Sequence, residues 1–157
     1  ASVDLGRMPE LVRANAAEWP PLLADEWTRR RPDESTWSAL EYGCHVRDVF
    51  VLFDERLRLM LEHDGPRFEN WDQDVTAIEQ RYDRQDPAVV ATELVAAGDA
   101  CADRWATVGA ADWQRTGDRS DGSSFTVETF ARYFLHDPMH HLTDVRRGVE
   151  RLRSTTG

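Results

Sequence analysis

Val127-Glu128-Thr129-Phe130-Ala131-Arg132-Tyr133-Phe134-Leu135-His136-Asp137-Pro138-Met139-His140-His141-Leu142-Thr143-Asp144-Val145-Arg146-Arg147-Gly148-Val149 carries its apolar side chains at helical spacing. Val127, Phe130, Phe134, Leu142, Val145 and Val149 recur at three, four or eight residues, the repeat of one face of an α-helix. Ser124 or Thr126 supplies the cap that opens it. A second stretch of the same kind opens at Ser35, or at Ser38 as an alternative cap. It runs through Trp37, Leu40, Cys44, Val49, Leu52, Phe53, Leu57 and Met60. His63-Asp64-Gly65-Pro66 stops it, a Gly followed by a Pro just past the last apolar position.

Two more helical stretches complete the set. One runs from Pro87 to about Val108 behind Asp86 as cap, with Val90, Leu94, Ala97, Cys101 and Trp105 on its apolar side. The other extends from Met8 to Arg29, interrupted at Trp19-Pro20-Pro21, where a new helix starts at one of the prolines. Leu22, Leu23 and Trp27 form its apolar side, and Arg30-Arg31-Pro32-Asp33 reads as the turn that follows. Segments 66–85 and 109–123 read as irregular, and no stretch alternates with a period of two. These observations predict an all-α fold, one four-helix bundle domain over residues 1–157 with at least one long crossover.

Composition removes several functions. The chain has 157 residues, enough to bury a core without disulfide or metal staples. It holds 29 acidic and 19 basic residues, a formal charge of −10, and every basic residue is Arg. An acidic surface with no basic run argues against nucleic acid, which is bound by neutralising phosphates. The absence of Lys removes Schiff-base chemistry, phosphate-loop lysines and Ser–Lys dyads. No apolar run reaches the ~18 residues of a membrane span, and the N-terminus lacks a charged-then-apolar signal pattern. Cys44 and Cys101 form no CxxC pair, so a cytoplasmic protein with reduced thiols is expected.

Three of the five histidines fall within six residues, His136, His140 and His141, and a fourth, His45, lies in the second helical stretch. Bundle metal sites are built from His and carboxylates projecting inward at i, i+3 or i+4 spacing. The last helix offers two such pairs, His136 with His140 and Asp137 with His141, each separated by about 40° around the axis. Projected on the stripe of Val127, Phe130, Phe134, Val145 and Val149, His141 falls inside and Asp137 on the edge. His140 lies further out and His136 almost opposite. Pro138 introduces a kink or a fresh cap between the two sets, which would rotate them, so both registers stay open. His63, at a helix end among polar residues, reads as a surface group.

Trp37-Ser38-Ala39-Leu40-Glu41-Tyr42-Gly43-Cys44-His45-Val46-Arg47-Asp48 resembles the second-helix signature of the DinB-like superfamily, a Trp-Ser entry, a Glu, then a His followed by an apolar residue. Residues 133–145 resemble its fourth-helix signature. Trp113-Gln114-Arg115-Thr116-Gly117 and Arg119-Ser120-Asp121-Gly122 look like an actinobacterial branch of the group. The resemblance implies a bundle in up-down-down-up order and a divalent metal, zinc or nickel, held by one residue of helix two and two of helix four. His45 matches the first ligand and His141 the last. The residue four before His141 is usually His and here is Asp137, as in the related mycothiol-dependent maleylpyruvate isomerases, which place a carboxylate there. The expected ligands are His45, Asp137 and His141, with His136 and His140 as the alternative register.

The resemblance also implies thiol-dependent transferase or isomerase activity with a thiol of the mycothiol type, on a small-molecule substrate, in a homodimer. A metal-dependent hydrolase and a non-catalytic, stress-related ligand-binding bundle are the alternatives. Arg47, Arg119 and Arg132 are candidates to anchor a carboxylate, since guanidinium pairs with it bidentately. Tyr133 and Asp144 are candidates for proton transfer, and Glu41, Asp48 and Asp144 for orienting ring nitrogens. Trp71 and Trp113 are candidates to wall a pocket. Ion pairing, capping and core packing are the ordinary roles of each.

Overall fold

The computed structural model describes residues 4–155, apart from the side chains of Pro138 and Met139. Four antiparallel or parallel helical runs build the bundle. The first is α1 (Met8–Ala17) followed by the short α2 (Trp19–Leu23), with Pro20 and Pro21 in its opening turn, where a missing N–H costs nothing. This run stops at Leu23 rather than Arg29. The Asp25 side chain accepts from the Trp27 N–H at 2.9 Å, a local turn that competes with continued helix.

Helix α3 (Ala39–Glu62) opens at Ser38, not Ser35. Ser38 and Glu41 cap it reciprocally: Ser38 Oγ accepts from the Glu41 N–H and the Glu41 carboxylate accepts from the Ser38 N–H, each at 3.1 Å. Arg31 Nε donates to the same carboxylate at 2.8 Å. Burial pushes the Glu41 carboxyl up, yet Arg31 and Ser38 outweigh it and hold the group below its ordinary range. Helix α4 (Gln73–Glu79) lies in the crossover, α5 (Pro87–Ala106) starts behind Asp86, and α6 (Val127–Ser154) starts behind Thr126. Helix α6 continues through Pro138 as one element, so Asp137 and His141 keep their helical phase.

Paired side chains fix the directions. Arg13 of α1 reaches Asp99 and Asp103 of α5, while Ala16 faces Gly98, so these helices are antiparallel. Arg47 meets Glu93 at 3.2 Å and Asp54 meets Arg104 at 2.9 Å, so α3 and α5 run parallel. Phe53 stacks on Phe130 at 4.8 Å and His45 faces His141 at 4.8 Å, so α6 returns antiparallel to α3. The order is up-down-down-up. A parallel α3–α5 pair obliges residues 63–86 to climb back along the bundle, which is the long crossover.

The two segments read as irregular hold two strands of a small sheet, and the third, at 124–126, occupies the stretch read as the start of the last helix. Strand β1 (Arg67–Phe68) pairs in parallel with β2 (Thr116–Arg119), and β2 pairs antiparallel with β3 (Ser124–Thr126). Strands of two to four residues are too short to show alternation, which is why the sequence pattern missed them. Gly122, at φ 96°, turns the β2–β3 hairpin in a conformation that suits Gly. Among the described residues no helix is long and apolar enough to cross a membrane.

At the centre, Phe50, Phe53, Phe130, Phe134 and Trp105 pack between α3, α5 and α6. Gly98 lets α1 and α5 approach closely, since a Cβ there would lie 2.7 Å from the Cβ of Ala16 and 3.5 Å from the Phe50 ring. Neither neighbour is a flexible chain end. Gly98→Val is therefore expected to destabilise the fold by about 2 kcal/mol, through overpacking of a close helix contact. A lowered urea midpoint with unchanged slope is the readout; an unchanged midpoint would mean that the α1–α5 contact is not close.

Candidate metal centre

Helices α3 and α6 bring His45, Asp137 and His141 together across their seam. One ligand atom from each lies within 4.8 Å of the others. His45 Nε2 stands 3.7 Å from Asp137 Oδ2, and His141 Nε2 stands 3.2 Å from Asp137 Oδ1. The His45 side chain is fully buried, that of His141 is 13% exposed and that of Asp137 35%. The cluster therefore opens to one side through its carboxylate.

The imidazoles are held by rings rather than by hydrogen bonds. Trp71, from the crossover, stacks on His45 with centroids 5.4 Å apart and planes within 4°. Trp37 lies 5.3 Å from His45 on another side, and Tyr42 lies 5.2 Å from His141. Both nitrogens of His45 and both of His141 are buried without an aligned hydrogen-bond partner. The short approach to Asp137 is thus out of line with the ring N–H. Burial pushes the Asp137 carboxyl up, but His141 and His45 more than offset this and hold it well below the ordinary carboxylate range.

His136 and His140 are placed elsewhere. Both are exposed, their rings stack on each other at 5.9 Å, and His140 Nε2 lies 3.5 Å from Asp144. Asp144 thus touches the outer histidine rather than the inner cluster. Arg47 lies in the α3–α5 seam, bonded to Asp48, Gln85 and Glu93 at 3.0, 2.8 and 3.2 Å. Two residues along a helix turn about 200°, which carries Arg47 to the far side of α3 from His45. Asp48 is engaged by Arg47 and by the Tyr82 hydroxyl, and Glu41 by its cap and Arg31. Arg132 pairs with Glu128 on the surface, and Trp113 packs against Trp105 at 6.4 Å.

Tyr133 and Trp71 stand closer. Together with Asp137 they line a cavity of about 80 Å³ whose other walls include Val49, Phe53, Arg56 and Arg119. Tyr133 stacks on Phe53 at 6.0 Å and receives the Arg119 guanidinium against its ring. Tyr42, which walls the cluster, and Arg56, which lines the cavity, were not singled out from sequence, and Trp37 was read only as the entry to its helix. One signal was available for Arg56: it falls eleven residues after His45, on the same helical face as Val49 and Leu52.

The two cysteines stand apart from this chemistry. Cys44 and Cys101 are both buried, and burial pushes each thiol up to about 12.

The family model of the DinB superfamily matches residues 10–145. Among solved structures, YfiT from Bacillus subtilis is similar with a TM-score of 0.77 at 16% identity, over 99% of this chain and 91% of that one. It is described as a probable metal-dependent hydrolase with an unusual four-helix bundle topology. No curated protein sequence matches. On its bundle order and the match over residues 10–145, the chain belongs to the DinB superfamily.

Proposed function

We propose that this protein is a divalent-metal-dependent enzyme whose metal, zinc or nickel, is held by His45, Asp137 and His141. The observation that carries this reading is the set of four buried imidazole nitrogens without hydrogen-bond partners, gathered around an ionised carboxylate. Buried polar groups are normally satisfied, and leaving them orphaned is costly unless something else fills the role. The donor set suits such an ion: two imidazoles and a carboxylate are ordinary zinc ligands, and imidazole also suits nickel. His45 Nε2 and His141 Nε2 each stand beside a different oxygen of that carboxylate, at 3.7 and 3.2 Å.

Three protein ligands would leave an open position, where a bound cation would favour the ionised form of an entering thiol or water. Within the chain, Trp71 and Trp37 fix the His45 ring and Tyr42 contacts the His141 ring. Asp137 sits at the mouth and so faces both the cluster and the neighbouring cavity. The buried Cys44 and Cys101, held protonated, leave no thiolate of the protein's own, so the nucleophile comes from outside. Our first reading is a small thiol of the mycothiol type, used for S-transfer or isomerisation. Water is the second, favoured by the description of YfiT as a probable hydrolase.

Metal content per chain, measured by mass spectrometry on untagged protein, tests the site. About one zinc or nickel is expected in the wild type and in His136→Ala, and little in His45→Ala, His141→Ala or Asp137→Ala. Loss on His136→Ala equal to that on His141→Ala would move the site to the outer register. With metal restored, turnover of an electrophile that stops when thiol is removed supports the transferase. Ester or amide cleavage that persists without thiol supports the hydrolase. Ligand binding without either would leave a non-catalytic bundle.

Stability gives an independent check. In chelator, His45→Leu is expected to raise stability by about 1 kcal/mol, because it removes two unsatisfied buried nitrogens from an apolar wall. Urea unfolding reads this directly. A loss of stability in chelator would show that His45 is an ordinary core residue.

A further inference from the structure

Arg56 is 4% exposed, and among the described residues no carboxylate pairs with it. Its guanidinium donates to the Glu69 carbonyl at 2.7 Å and lies over the Phe68 ring at 4.8 Å. The half-buried arginines of the α3–α5 seam each have an acidic partner: Arg47 has Asp48, and Arg104 has Asp54. Arg119, which shares the cavity wall, is neutralised by Asp121 at 2.8 Å. In a chain with 29 acidic and 19 basic residues, a buried guanidinium without a carboxylate is conspicuous. Taking such a charge out of water is unfavourable unless an anion meets it.

The cavity supplies the place for that anion. Arg56, Asn70, Gln73, Tyr133 and Asp137 all reach it, so a cation and polar groups stand in the same space as the open edge of the metal cluster. Its volume of about 80 Å³ holds two or three waters, at ~30 Å³ each in the liquid. Drug-sized ligands need roughly 300–1,000 Å³, so the fit is to a small acid or to the acid end of a larger molecule. Along α3, His45 and Arg56 are eleven residues apart, about 16 Å between Cα atoms. Helical side chains lean toward the N-terminus, which brings the long Arg side chain back along the groove toward the cluster.

We propose that Arg56 anchors the carboxylate of a small organic acid in the cavity between α3 and α6, with the rest of that molecule directed toward Asp137. The planar guanidinium can donate two parallel hydrogen bonds to a carboxylate. Burial and the neighbouring Arg119 both lower the Arg56 pKa from its ordinary value, in keeping with a cation that lacks its counterion. The orientation toward Asp137 rests on the proposed metal site, whereas the anion site stands without it.

Titration calorimetry on the metal-free, full chain tests the anion site separately from the metal. The probes are butyrate, its neutral isostere butyramide, and inorganic phosphate. Saturable one-site binding of butyrate is expected, at least tenfold tighter than butyramide and tighter than phosphate. Arg56→Gln should weaken butyrate at least tenfold while keeping the zinc content of the wild type. Arg56→Lys retains a cation that reaches Glu69 but cannot pair in two parallel bonds, so a several-fold loss is expected. That variant decides the matter if Arg56→Gln does not fold. Equal binding of acid and amide, tighter phosphate, no butyrate binding by the wild type, or unchanged affinity in both variants would overturn the proposal. Butyrate binding in a protein that takes up no zinc would instead remove the metal site and leave this one standing.

Discussion

Because α3 and α5 run parallel, the chain must travel the length of the bundle between them, and the site depends on that constraint. An antiparallel pair would need only a short turn at the bottom. The parallel pair instead sends residues 63–86 upward along the α3–α6 seam, where Trp71 stacks on His45 and Asn70 and Gln73 wall the cavity. The seam between α3 and α5 itself is locked by Arg47–Glu93 and Arg104–Asp54, about two turns apart. These ion pairs are partly exposed and each contributes little to stability. Their consequence is register: they fix the level of α5 against α3, while Phe53 on Phe130 and His45 against His141 mark the level of α6.

The elements legible in the sequence are those longer than two helical turns. Apolar period and caps identified α3, α5 and α6, with Asp86 as the cap of α5 and with Ser38 and Thr126 each as one of two candidate caps for α3 and α6. The Pro20-Pro21 restart was legible too, because Pro has a defined place in a helix's first turn. The end of the first run was not. Asp25 closes a local turn on Trp27, and such a side-chain bond competes with helix without altering the apolar period. The short strands were invisible for a related reason. Their pairing is decided by the crossover passing the β2–β3 hairpin, a tertiary event with no local signature in two to four residues.

Site residues divide in the same way. Helical phase separates Asp137 and His141 from His136 and His140, because α6 continues through Pro138 and the phase is preserved. Arg47 drew attention by standing two residues from His45, yet adjacency in sequence is near-opposition on a helix. Arg56 stands eleven residues away on the shared face and lines the cavity beside Asp137. Distance along a helix is thus a poor guide to a shared site, and angular position a good one. Residues brought by the crossover have no angular position to read, so Asn70 and Gln73 were recoverable only from the fold.

Charge organisation ties the surface to the interior. A net charge of −10 draws divalent cations toward the protein and opposes anions at long range. That opposition is screened beyond roughly 8–10 Å at physiological salt. Inside the cavity the balance reverses, since Arg56 lacks a carboxylate and Asp137 is already committed to the two imidazoles. In the proposed reading, a cation at His45, Asp137 and His141 adds further positive charge to the same space, so cation and organic acid stabilise each other's binding. A neutral substrate leaves the buried guanidinium uncompensated and gains nothing from this arrangement. Selection for an acid therefore comes from desolvated groups at short range, acting against the outer field rather than with it.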